Sequence, residues 1–112
     1  MVRETPLPGG AVRGSRTGRP IMAALDLLGR RWALRVLWEL RDGPVGFRAL
    51  QQRCDEVSPT VLNTRLRELR EAGIVTQDAA RAHHLTPLGE DLLAALAPLQ
   101  TWATRWSRRT SV

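Results

Sequence analysis

A chain of 112 residues is long enough for one domain around one core and too short for two. Hydrophobic residues make up 43% of it, which fits a folded protein, but no apolar run approaches the roughly 18 residues of a membrane span and the start does not read as a signal peptide. The single cysteine, Cys54, excludes an internal disulfide framework and suits a reducing bacterial cytoplasm, while the net charge of +6 points to a polyanionic partner.

In chain order, residues 1–19 are rich in Gly, Pro and Arg, lack periodicity, and are expected to form a flexible arm. The arm holds four Arg against one Glu, and residues 105–112 hold three Arg and no acid, whereas residues 20–104 balance ten Arg with ten acids. The charge excess therefore sits at the two ends of the chain, of which residues 107–112 are read as a basic tail. All seventeen basic residues are arginine. That suits bidentate phosphate or base contacts, and fits a GC-rich genome equally well.

Pro20 opens a helix through Leu28, with Leu25 and Leu28 on its apolar side and Gly29 after it. A second helix, about Arg31 to Arg41, is expected to turn Leu34, Leu37 and Trp38 inward, and Asp42-Gly43-Pro44 ends it. A short third helix, about Arg48 to Arg53, is anchored by Phe47 and Leu50. Asp55-Glu56-Val57 form a turn, and Ser58-Pro59 start a fourth helix that runs to Ala72, where Gly73 stops it. The period then changes from 3.6 to 2: "GIVTQ" is a strand, Asp78 to Arg81 a turn, and "AHHLT" the returning strand. Thr86-Pro87 begin a long final helix to about Trp106, with a kink or break expected at Pro98.

Four helices, a hairpin and a last helix make a mainly α chain with a small β-hairpin wing: a winged helix-turn-helix over residues 20–106 with an additional C-terminal dimerisation helix. In that arrangement the helix Ser58–Ala72 is the reader of the major groove. Leu62, Leu66 and Leu69 fall on one side of it at 100° per residue, and Thr60, Asn63, Thr64 and Arg67 on the other. The polar stripe is assigned to base edges. Arg48 at the start of the supporting helix and Arg81 at the hairpin tip are assigned to phosphate. Ser58 is placed with them as the helix cap. Arg65 lies beside the stripe, either on phosphate or paired with Glu68.

The stretches "ALDLLGRRW" (Ala24 to Trp32), "LWELRDGPVGFRAL" (Leu37 to Leu50), "VSPTVLNTRLRELREAGIV" (Val57 to Val75) and "LTPLG" (Leu85 to Gly89) resemble the HxlR family of bacterial transcriptional regulators. The resemblance spans residues 20 to 102 and implies a dimeric winged helix regulator bound to pseudo-palindromic double-stranded DNA near promoters. Two departures stand out. Many relatives carry a cysteine just before the proline of the first helix, and some sense oxidants with it, but here that place is Arg19. The hairpin from Thr76 to Leu85 is also shorter than the family's, with Arg81 its only cation.

Other chemistry is sparse. Cys54 reads as a small buried hydrophobe, and His83 and His84, adjacent on a strand, point to opposite faces and cannot share a metal. One Cys and two His form no zinc-like ligand set, no glycine-rich phosphate loop follows a strand, and Glu90-Asp91 offset a helix dipole. No enzyme, cofactor or metal is expected. In the last helix, Leu92, Leu96, Leu99, Ala103 and Trp106 repeat at spacings of 4-3-4-3, with Trp102 beside them, a seam for another helix. A homodimer is expected through Leu96, Leu99, Trp102 and Trp106, joined by Leu25 and Leu28. Four tryptophans also raise an aromatic pocket for a planar effector, lined by Trp38 and Trp106 at the dimer interface. The rival reading of the stripe is a docking face for a partner protein.

Overall fold

The computed structural model describes residues 5–12 and 18–110. Five helices and a two-stranded hairpin follow in the order α1 (Pro20–Leu28), α2 (Ala33–Glu39), α3 (Phe47–Arg53), α4 (Pro59–Glu71), β1 (Val75–Gln77), β2 (His83–Leu85) and α5 (Pro87–Thr110). The winged helix-turn-helix is present as expected. Its core joins Leu27, Val36, Leu37, Leu40, Leu50, Leu62, Leu66 and Leu69 with Val45, Cys54, Ile74 and Val75. Every element except the distal half of α5 faces this one cluster.

Three of the five helix starts have a plain local cause. Pro20, Pro59 and Pro87 occupy first turns, where a missing amide costs nothing. The Ser58 hydroxyl accepts from the Val61 amide at 3.1 Å, and the Thr86 hydroxyl accepts from the Gly89 amide at 3.0 Å. Gly73 leaves α4 with φ 79°, a conformation that a side chain disfavours. Gly89 answers a different need. A Cβ there would stand 2.2 Å from the Ile74 carbonyl oxygen, so only glycine lets the first turn of α5 lie against the chain entering β1.

The hairpin is antiparallel, with Val75 opposite Leu85 and Gln77 opposite His83. Val45 adds a one-residue third strand: its amide donates to the His83 carbonyl at 2.9 Å, and its carbonyl accepts from the His83 amide at 2.8 Å. The wing is thus sewn to the loop that enters α3. His83 is buried in this seam, and burial, with Arg70 nearby, holds its imidazole below the ordinary range, so it is neutral at pH 7.

Three expectations need correction. The second helix is shorter than Arg31 to Arg41, and its inward stripe is Ala33, Val36, Leu37 and Leu40. Leu34 and Trp38 are 41% and 38% exposed, so of the three residues expected inward only Leu37 is buried. The final helix continues four residues past Trp106 to Thr110, and Pro98 lies inside it without ending it, so of the expected kink or break the break is absent. Pro98 and Ala94 both face solvent, so water can satisfy the Ala94 carbonyl that loses its amide partner.

Of the expected arm, residues 1–4 and 13–17 lie outside the described residues. Within residues 5–12, Pro6 is buried, and Pro6, Leu7 and Pro8 wall an apolar cavity of about 330 Å³ with Ala23, Leu27 and Leu92. The Thr5 hydroxyl bonds the Glu71 carboxylate at the end of α4. Of the expected basic tail, residues 107–110 are helical, and residues 111–112 lie outside the description.

Candidate nucleic-acid interface

The turn between α3 and α4 decides how the reading helix is presented. Asp55 and Glu56 both adopt left-handed backbone, at φ 56° and 59°, which reverses the chain within three residues. The buried Gln51 side chain donates to the Val57 carbonyl at 2.9 Å and pins the turn from beneath. α4 then emerges with Leu62, Leu66 and Leu69 fully buried and its opposite face to solvent.

On that outward face Thr60, Asn63 and Arg67 are exposed. Thr64 is half-buried and its hydroxyl donates to the Thr60 carbonyl at 2.9 Å, so its oxygen keeps only acceptor capacity. Among the described residues Arg67 and Arg81 have no ion-pair partner. Arg81 stands exposed at the hairpin tip with φ 66°. Its loop is closed by the Asp78 carboxylate, which accepts from the Ala80 and Ala82 amides at 2.9 Å each. Arg48 is exposed and donates to Gln51 and Glu56 at 2.9 Å each, in a solvated pair weak enough to yield to a phosphate.

Arg65 does not belong with them. Its side chain is only 14% exposed and its Nη1 donates to Glu68 Oε1 at 2.5 Å. Of the two readings given for Arg65, the structure shows the pairing with Glu68: the guanidinium lies largely out of solvent beside the leucine stripe, on an intramolecular carboxylate. Glu68, in turn, is 1% exposed and also accepts from Arg30, an interaction that sequence reasoning missed because Arg30 lies in another element, 38 residues away.

The residues expected at a dimer interface divide. Leu99, Trp102 and Trp106 are 50%, 49% and 55% exposed, and the two indoles stack with centroids 5.5 Å apart and planes 13° from parallel. Leu25 is exposed on α1, whereas Leu28 packs partly against the chain's own core. Leu96 is half-buried in a groove of about 490 Å³ between α2 and α5, lined also by Leu34, Trp38 and Leu99. Trp38 and Trp106 do not share a wall in the single chain. Trp38 lines the groove beneath the Arg41 guanidinium, 4.0 Å above its ring, while Trp106 stacks beyond it on Trp102. Among the described residues no cluster of His, Cys, Asp and Glu is placed to hold a metal, and no helix is long and apolar enough to cross a membrane.

A supporting helix, a tight turn, a second helix with a polar outer face and a hairpin wing define a winged helix-turn-helix protein. The chain belongs to the HxlR-like helix-turn-helix family, whose model matches residues 27–111, a family of transcriptional regulators. It is 30% identical over 89 residues to YvaP, an uncharacterised HTH-type transcriptional regulator of Bacillus subtilis, covering 74% of this chain and 82% of that one. Against an HTH-type transcriptional regulator of Mycobacterium tuberculosis it is 35% identical over 98 residues, 82% of this chain but 61% of that relative. The fold matches the crystal structure of quinone-bound YodB from B. subtilis with a TM-score of 0.70 at 32% identity, over 76% of this chain and 94% of that one.

Proposed function

We propose that the chain binds double-stranded DNA sequence-specifically as a homodimer on a pseudo-palindromic operator, with α4 in the major groove. The observation that carries this reading is the outward face of α4. Asn63 and Arg67 project opposite three fully buried leucines, and among the described residues Arg67 has no ion-pair partner. Thr60 and Thr64 flank them, Arg48 and Arg81 take phosphate, and the basic ends of the chain add affinity without specificity.

Arg67→Ala is expected to weaken binding to the true site by about 1–3 kcal/mol and to relax preference at one base pair. Arg81→Ala is expected to weaken all duplexes alike. Gel-shift titrations at fixed salt on an operator selected from a random duplex pool check both. Unchanged operator affinity of Arg67→Ala would remove Arg67 from the reading face.

Thiol oxidation is not expected to regulate this chain. Cys54 is its single cysteine, fully buried in the core, and burial raises its thiol above the ordinary range, outweighing the opposing pull of Arg35. Treatment with diamide should leave operator affinity as it was, and a fall that dithiothreitol reverses would contradict this.

A further inference from the structure

Glu68 lies on the reading helix yet is almost without solvent. Its two carboxylate oxygens are divided between two guanidiniums, Oε2 accepting from Arg30 Nη1 and Oε1 from Arg65 Nη1, each at 2.5 Å. Arg30 is 6% exposed and also lies 3.6 Å from Asp26 of α1. Two acids and two bases thus form a chain of ion pairs, largely withdrawn from solvent, from α1 through the α1–α2 turn to α4. Among the described residues, Arg30–Glu68 is the only ion pair that ties α4 to another element.

The leucines and the carboxylate constrain α4 differently. Leu62, Leu66 and Leu69 hold the helix against the core, but dispersion contacts are weakly directional and permit some roll about the helix axis. A charge-assisted hydrogen bond is directional in distance and angle. With side chains a helix is about 10–12 Å across, so a roll of about 10° sweeps its outer face by about 1 Å. That distance is enough to pull a bidentate side chain off a base edge.

We propose that Glu68, held by Arg30 and braced by Arg65, is a positioning residue: it sets the roll of α4 and so the direction in which Asn63 and Arg67 point. Arg65 acts through Glu68 and touches no phosphate. This inference rests on the DNA-reading role of α4, and it separates specificity from charge. A phosphate contact adds affinity to every duplex and steepens the salt dependence, whereas a positioning residue acts on the operator alone.

The test uses the full chain, a duplex selected by the wild type from a random pool, and an unrelated duplex, titrated over a range of salt. Arg65→Met keeps the stem that packs beside the leucines and leaves Glu68 with Arg30. It is expected to lose about tenfold or more on the operator, with unrelated-duplex affinity and the slope of log affinity against log salt unchanged. Glu68→Asp, which keeps the charge and shortens the reach, is expected to lose the same preference, and it supplies the answer if Arg65→Met does not fold. A slope flattened by about 0.9 with equal loss on both duplexes would make Arg65 a phosphate contact and overturn the proposal. Folded variants with unaltered operator preference would overturn it too. A wild type with no preferred duplex would instead sink the DNA reading itself, and the inference with it.

Discussion

Glu68→Ala is expected to destabilise the fold by about 3–5 kcal/mol, as much as emptying a core leucine position. The substitution empties a buried side-chain volume, and to that cavity it adds the cost of the charge left behind. The side chains of Arg30 and Arg65, 6% and 14% exposed, would lose the carboxylate they share, and Asp26 lies 3.6 Å from Arg30. Water cannot reach them as it reaches Arg48, whose exposed pairing with Glu56 is worth at most about 1 kcal/mol. A domain of this size has about 5–15 kcal/mol to lose. Urea unfolding followed by tryptophan emission measures the change. A loss under about 1 kcal/mol would mean that Glu68 behaves as a surface acid. Because the pair is buried, its contribution should also survive high salt, which erases surface pairs first.

How much of this was legible beforehand differs from helix to helix. α4 announced itself because three leucines at one spacing, a serine cap and a terminal glycine agree on one phase. α2 did not, because Ala33, Leu34, Val36, Leu37, Trp38 and Leu40 leave several apolar faces open in seven helical residues and their flank. Only the position of α5 and the rest of the core selects among them. Arg65 was half legible: at 100° per residue it falls about 60° from Leu62, nearer the buried stripe than the exposed one. The second partner of Glu68 was not legible, since no local pattern brings Arg30 to it. A break at Pro98 does not occur, since the Ala94 carbonyl that loses its amide partner lies on the solvent side.

The exposed seam of α5 has the largest consequence for function. Trp102→Ala together with Trp106→Ala is expected to convert the dimer to a monomer and to abolish cooperative occupancy of two half-sites. Each indole is about half exposed in the single chain, so covering the remainder against a second copy contributes about 2 kcal/mol apiece. Two-fold symmetry brings four indoles to the interface, enough that their loss raises the dissociation constant more than a thousandfold. The fold of the subunit should persist, because neither ring belongs to the core around Leu37, Leu62 and Leu66. Circular dichroism checks that point. An isologous dimer also sets the two α4 helices on one side of the duplex, and successive major grooves require them about 34 Å apart. The operator is therefore expected to be an inverted repeat with half-site centres about 10 base pairs apart. Light scattering on wild type and variant, with gel shifts on half and full sites, tests mass and geometry together. A wild-type monomer that holds one half-site as tightly as the full repeat would defeat the model, since the second α4 would then add nothing.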